Sequence, residues 1–279
     1  MADIETAATE TVEPEEAAGT AEAAGTAGLP NVADESVRAI RAGGRAENEV
    51  RPVTLVRDVM PHALGSCEVS FGQTRVLCAA TIEDGLPGWR VKSHAGWVTA
   101  EYAMLPCSTN SRSRRETAAR KGRSMEIERL VGRSLRTVCD LAALGEYTVT
   151  VDCDVLNADG GTRTAALTGA WVALHDALAA WVDARKIPRL PLIDQVAAVS
   201  VGMVAGRLLV DLDYSEDSMA EIDMNLAYTG RHEFVEVQGT GERTPFDRAK
   251  LNRLLDLGEG ALQGILRAQA ECVGWEKGL

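Results

Sequence analysis

Aromatic side chains are scarce in this chain: five Trp, four Tyr and three Phe among 279 residues. Its core therefore has to be built from aliphatic residues and alanine. None of the six cysteines (67, 78, 107, 139, 153 and 272) belongs to a C-x-x-C pair, which removes the usual signature of structural zinc. Several sit inside apolar runs, where a free thiol packs as a small hydrophobe. A disulfide-free, cytoplasmic protein is expected. The four histidines (62, 94, 175 and 232) are scattered without metal-ligand spacing, and His175 reads as a core residue of an apolar helix. Uninterrupted apolar runs are missing too. The nearest, Ala165 to Val182, is broken by Thr168, Gly169, His175 and Asp176, so it reads as a buried helix and no membrane partner is expected. No charged-then-apolar leader opens the sequence. The patterns G-x-x-x-x-G-K-[ST], G-x-G-x-x-G and G-x-S-x-G are also absent, so nothing marks a P-loop, a dinucleotide site or a serine nucleophile.

Positive charge is missing from one region only. Residues 1–37 hold no Lys or Arg but nine carboxylates, and removing these from the formal net charge of −12 leaves −3 for residues 38–279. An Ala/Glu/Thr/Gly-rich segment with so few large apolar residues cannot form a core, and a disordered acidic tail is expected over 1–37. The body that follows is nearly neutral, and an acidic overall charge does not exclude a nucleic-acid partner.

The most informative segment is Asn157-Ala-Asp-Gly-Gly-Thr-Arg-Thr164. Before it, Val149, Val151, Cys153 and Val155 alternate with Thr148, Thr150, Asp152 and Asp154, the period of a half-buried strand. After it, Thr164 to about Ala184 has helical spacing. A glycine pair between strand and helix lets backbone N–H groups approach an anion, and the helix start adds partial positive charge. Arg163 supplies a guanidinium fork that matches phosphate oxygens. The bland reading is a plain helix start with Asp159 as a turn residue.

Two other clusters carry chemistry. Arg112, Arg114, Arg115, Arg120, Lys121 and Arg123 crowd a polar stretch, which is either a solvated loop or a grip on a polyanion. Arg123 opens a helix with Ile127, Leu130, Val131, Leu135 and Val138 on one stripe. Further on, Asp217 and Asp223 converge if the chain turns back near Ser218. Two convergent carboxylates can hold Mg²⁺, or one can act as an acid, while the alternative is the outer face of a strand.

Between these clusters, strand patterns occupy Arg51–Arg57, Ser66–Phe71, Arg75–Ile82, Tyr147–Leu156, Ala197–Val204, Arg207–Asp213, Ala220–Tyr228 and Glu233–Gln238, with Gly96–Tyr102 less regular. A last helix is expected from about Pro245 to Ala270. Strands, helix, strand, helix, strands, helix is the order of an α+β protein with helices covering its sheets. One domain over 38–270 is expected, with 271–279 as a C-terminal tail.

Several ordered segments resemble the ribonuclease PH family, bacterial phosphorolytic 3′ exoribonucleases that trim tRNA precursors. They are Asn48-Glu-Val-Arg-Pro-Val, Gly96-Trp-Val-Thr-Ala-Glu-Tyr, Met125-Glu-Ile-Glu-Arg-Leu-Val-Gly-Arg, the run from Asp152 to Thr164, Glu216 to Asn225, and Glu236-Val-Gln-Gly-Thr-Gly. The resemblance spans about Arg41 to Gln269. It implies mixed sheets packed against helices in the fold of ribosomal protein S5 domain 2, assembled as a hexameric ring of dimers. It implies inorganic phosphate as co-substrate, held by Arg123, Gly161, Thr162 and Arg163. Asp217 and Asp223 match the family's catalytic aspartates, for Mg²⁺ or for acid catalysis, and Arg112 and Arg115 match its RNA-contacting arginines. A second reading, a catalytically silent RNA-binding subunit of a ring assembly, stays open, although such subunits would be expected to lose the phosphate turn or the aspartate pair.

Two departures stand out. The family usually places arginine directly after Met-Leu-Pro, where this chain has Cys107, and the loop between Arg115 and Arg123 is about two residues short. Losing one charge-assisted contact among several costs roughly 1–3 kcal/mol. Cys107→Arg is therefore expected to tighten RNA binding and steepen its dependence on salt. Titration of a fluorescent RNA at two salt concentrations checks this, and unchanged curves would remove position 107 from the RNA surface.

Overall fold

The computed structural model describes residues 41–115 and 122–276. The acidic segment 1–37, and Arg120 and Lys121 with the shortened part of their loop, lie outside the described residues.

Strands β1 (Val53–Arg57), β2 (Gly65–Phe71) and β3 (Thr74–Asp84) form an antiparallel meander. Gly72 and Gln73 close its second hairpin, with Phe71 opposite Thr74. β4 (Trp97–Met104), the stretch expected to be irregular, is a full strand. It runs parallel to β5 (Tyr147–Asn157), giving a five-stranded mixed sheet in the order β1-β2-β3-β5-β4. The alternation in β5 is as expected: Val149, Val151, Cys153 and Val155 are buried while Thr148, Thr150, Asp152 and Asp154 are only partly covered. Helix α1 (Gly122–Thr137) buries Ile127, Leu130, Val131 and Leu135 against β4, and the short α2 (Leu141–Leu144) leads back into β5.

The second sheet is antiparallel, β7 (Arg207–Val210), β6 (Val196–Val204), β8 (Ile222–Thr229) and β9 (Phe234–Gly241) in that order. β7 stops three residues short of the expected Asp213. Asp211 leaves the ladder with φ +53° and turns its carboxylate inward. A four-residue helix, α4 (Tyr214–Asp217), separates β7 from β8.

Helix α3 (Thr162–Asp183) lies between the sheets, packed on β2, β3 and β5 on one side and β6 on the other. It is buried almost without interruption from Thr162 to Leu178. By length and composition it passes for a membrane span, but a helix that is apolar all round also suits a core position between two layers. Gly169 permits the close approach to the sheet, since a Cβ there would lie 2.5 Å from Val69 Cγ1. His175 is buried as expected, with Nδ1 3.0 Å from Asp176 and its ring beside Trp171 and Trp275. The last helix, α5 (Arg248–Val273), crosses β6. Inside its interface, Gln269 Nε2 donates to the carbonyls of Thr168 and Val196 at 2.9 and 3.1 Å.

The expected tail 271–279 has to be corrected. α5 continues to Val273, and Trp275 is buried with its ring 5.4 Å from that of Trp171. The aromatic contact extends the fold past residue 270.

A cluster of buried charges joins the sheets. The backbone N–H and Nε of Arg51 both donate to Asp211 Oδ2 at 2.8 Å, and Nη2 donates to Oδ1 at 2.7 Å. Asp211 is fully buried and Arg51 is 6% exposed. Removing one partner of such a pair strands the other charge in the interior, at about 3–5 kcal/mol. Arg51→Ala is expected to destabilise the protein by that amount in urea unfolding. The double variant Arg51→Met/Asp211→Leu, which leaves no stranded charge, should lose less than the single one. A double variant weaker than the single variant would contradict the assignment.

Candidate active site

The site begins where β5 ends. Gly160 (φ +73°) and Gly161 (φ +66°) are two successive left-handed residues, a conformation that other L-residues adopt only at a cost. Gly160 is also constrained by space, because a Cβ would lie 2.4 Å from the Leu212 carbonyl oxygen and 2.6 Å from the Asp213 carbonyl carbon. Arg51 Nη1 donates to the Asp159 carbonyl at 2.5 Å, and Thr74 Oγ1 donates to that of Gly160 at 2.6 Å. These donors fix the turn from behind. In front of it starts α3, whose first N–H groups have no helical acceptor and carry the positive end of the helix dipole.

Thr162 opens that helix and accepts a 2.8 Å hydrogen bond from the buried Tyr102 hydroxyl. Burial holds the Tyr102 phenol above its usual pKa, against the pull of Arg123 and Arg163. Arg163 follows, and its Nη1 donates to Gln238 Oε1 at 2.9 Å and to Glu126 Oε1 at 3.2 Å. Gln238 Nε2 donates to the same Glu126 oxygen at 2.5 Å. α1, α3 and β9 thus meet at one guanidinium, whose other N–H groups make no hydrogen bond among the described residues. Arg123, the second residue of α1, lines a cleft of about 300 Å³ together with Gly160, Gly161, Thr162, Tyr214 and Asp217.

The carboxylates come from the second sheet. Asp213 caps α4, its side chain accepting from the Glu216 N–H at 3.1 Å while Glu216 Oε2 accepts from the Asp213 N–H at 3.2 Å. Asp217 ends this helix, the chain turns through residues 218–221, and Asp223 is the second residue of β8. Burial pushes Asp223 up to about 6; the charge of Asp217 adds to the shift, and Arg163 opposes it. Asp217 is also raised by burial, with Arg123 and Arg163 pulling it back. The two arginines and two aspartates therefore act on one another within a single electrostatic field. Among the described residues no three His, Cys, Asp or Glu side chains converge as a metal-binding group.

Arg112 and Arg115 are exposed on the segment that follows β4. They are not in the cleft, which Thr109, Asn110 and Ser111 of the same segment line instead. Arg115 lies within electrostatic reach of Asp154 and draws down a carboxyl that burial raises. Cys107 is exposed. Sequence reasoning missed Tyr214, Tyr102, Asn110, and the Glu126–Gln238 pair behind Arg163. A Tyr or Gln with no distinctive spacing carries no signal of its own, although Gln238 and Arg51 stand inside segments of the family resemblance.

Residues 49–179 match the family model of the 3′ exoribonuclease family, domain 1, and residues 194–261 match domain 2 of the same family. The chain belongs to the ribonuclease PH family. The chain is 54% identical over 237 residues to Ribonuclease PH of Methylobacterium radiotolerans, covering 84% of this chain and 100% of that one. It is 53% identical over 237 residues to Ribonuclease PH of Mycolicibacterium smegmatis, covering 84% and 91%. Among solved structures, the Archaeoglobus fulgidus exosome with RNA bound to the active site matches with a TM-score of 0.69 at 24% identity, over 80% of this chain and 90% of that one. That likeness concerns the fold, and the α+β ribonuclease PH architecture expected from the sequence is the one found.

The raised carboxyl of Asp223 has a consequence for stability. Its folded pKa of about 6 lies above the ordinary 3.8, so the folded state binds more protons than the unfolded state between those values. Stability therefore falls as pH rises from 4 to 6, and the whole penalty is in place above pH 7. Asp223→Asn removes it, and in metal-free buffer should stabilise the fold by on the order of 2 kcal/mol at pH 8. At pH 4.5, where the unfolded carboxylate has only partly ionised, the gain should be about a third as large. Thermal melts at both pH values check this, and equal shifts would mean that the carboxylate carries no strain.

Proposed function

We propose that this chain is a phosphorolytic 3′–5′ exoribonuclease. It uses inorganic phosphate to remove nucleotides from the 3′ ends of tRNA precursors, releasing nucleoside 5′-diphosphates. The observation that carries the reading is that Arg123 and Asp217 line one cleft with the glycine turn, while Arg163 and Asp223 lie within electrostatic reach of them.

Arg123, Arg163 and the free N–H groups of Gly161 and Thr162 bind the attacking phosphate and hold one of its oxygens in line with the last phosphodiester. Attack forms a new P–O bond, the bond to the 3′-oxygen breaks, and the shortened RNA leaves with its hydroxyl. The same guanidinium groups neutralise charge as two phosphates crowd together, the electrostatic contribution on which phosphoryl transfer chiefly depends. Phosphate, not water, takes the nucleotide, so the bond energy is largely retained and the step is reversible.

Asp217 and Asp223 suit Mg²⁺, which typically takes one or two protein carboxylates and fills its shell with water and phosphate oxygens. Two part-buried carboxylates whose pKa values burial raises, with the charge of Asp217 adding to the shift of Asp223, are the donor set such a cation would relieve. When bound, Mg²⁺ would supply charge neutralisation at the scissile group. Alternatively, where Asp223 does not ligate the cation, the fraction of its proton retained near neutral pH can pass to the departing 3′-oxygen.

Arg112 and Arg115 hold the RNA upstream of the cleft. In our reading the protein is cytoplasmic and works as a hexameric ring of dimers; exposed Met125 on α1 and Phe234 and Val237 on the edge strand β9 offer apolar contact surface.

The test uses a tRNA carrying extra 3′ nucleotides, incubated with and without phosphate and Mg²⁺. Nucleoside diphosphates are expected only with phosphate. Monophosphates in phosphate-free buffer would indicate hydrolysis, and no product would indicate a silent ring subunit. Arg163→Ala should raise the phosphate KM or lower kcat by 10-fold or more, roughly the worth of one charge-assisted contact. An unchanged phosphate dependence would remove Arg163 from the site.

A further inference from the structure

Tyr214 is the aromatic residue among those that line the cleft. It is 59% exposed, and among the described residues its ring packs on no other aromatic or cationic group and its hydroxyl makes no hydrogen bond. Its backbone, by contrast, is tightly fixed. It is the first residue of α4, directly after the capping residue Asp213. Its N–H donates to Asp159 Oδ1 at 3.4 Å, and a Cβ on Gly160 would come within 2.8 Å of its nitrogen. Two residues on, Glu216 is locked by Arg41, whose Nε and Nη2 donate to its two carboxylate oxygens at 2.7 and 2.9 Å. An idle ring is thus held on a rigid mount, three residues before Asp217 and against the phosphate turn.

We propose that the Tyr214 ring is the stacking platform for the base of the 3′-terminal nucleotide. This deepens the exoribonuclease reading and rests on it. When Arg123 and Arg163 hold phosphate and Asp217 faces the scissile group, the terminal nucleoside must occupy the remaining cleft, and Tyr214 is the flat apolar surface available there. Stacking accepts any base, because every base has a π-face. An enzyme that shortens successive, unlike nucleotides needs that neutrality, and a hydrogen-bonding platform would deny it. Tyr214 is accordingly a substrate-positioning side chain, and no proton transfer is assigned to it.

The experiment compares wild type, Tyr214→Ala, Tyr214→Phe and Tyr214→Trp on a single-stranded RNA bearing 2-aminopurine at its 3′ end. Binding is measured in phosphate-free buffer, where no turnover occurs. Wild type, Phe and Trp should quench the terminal 2-aminopurine on binding, and Ala should not. A probe placed several nucleotides upstream should be indifferent to the substitution. Loss of one stacked base is worth about 1–3 kcal/mol, which converts to a 5- to 150-fold rise in the RNA Kd and KM. The phosphate KM at saturating RNA should stay within about twofold. An exposed ring carries no core packing, so equal melting temperatures verify that the variants are folded. Full activity and quenching in Tyr214→Ala would overturn the platform while leaving the exoribonuclease intact. A defect shared by Phe and Ala would assign the contact to the hydroxyl and also overturn it. Wild type that neither binds nor shortens the RNA would defeat the underlying function instead.

Discussion

The geometry of the site depends on one buried ion pair. Asp211, with no exposed surface, receives three hydrogen bonds from Arg51, and the same guanidinium also holds the carbonyl of Asp159 in the glycine turn. Arg45 adds a longer contact to Asp211 and others to Asp213 and Glu216. A single residue thereby ties the end of β7, in the second sheet, to the loop that leaves β5 in the first. Such a pair is not favoured over well-packed apolar side chains on energy alone. Its value here is geometric: a bidentate fork fixes distance and direction together, which an apolar contact does not.

The ion pair matters because the groups assigned to the proposed reaction come from different layers. The glycine turn, Arg123 and Arg163 belong to elements packed on the first sheet, while Asp217 and Asp223 belong to the second. Placing two carboxylates together under partial burial is unfavourable, and burial first, then the charge of Asp217, raises Asp223 to about 6. The surrounding structure has to hold it. β8 does so by pairing on both sides, with β6 and β9, and α4 does so through its capping box and Arg41.

Local chemistry was well legible in the sequence where residues act through the backbone or in regular periods. The alternation of β5, the apolar stripe of α1 and the Asp-Gly-Gly-Thr-Arg turn all specify themselves within a dozen residues. The turn near Ser218 was foreseen only as a condition for Asp217 and Asp223 to converge, with the outer face of a strand as the alternative. What escaped notice involves long-range partners. Asp211 looked like one more strand residue, because nothing near it in sequence announces a buried arginine 160 positions earlier. Tyr102 and Gln238 were silent for the same reason, each meeting its partner only after the sheets are stacked. The end of the fold was misplaced because Trp275 finds Trp171 across the core, more than a hundred positions away.

Arg41 gives the tethering of α4 a mechanical side. That residue grips Glu216 immediately before Asp217 and also donates to the carbonyls of Val210 and Asp211. A pull on Arg41 would thus be transmitted through one guanidinium to the peptide bond that leads into Asp217. The grip of Arg41 and the mount of Asp217 are the same handful of atoms.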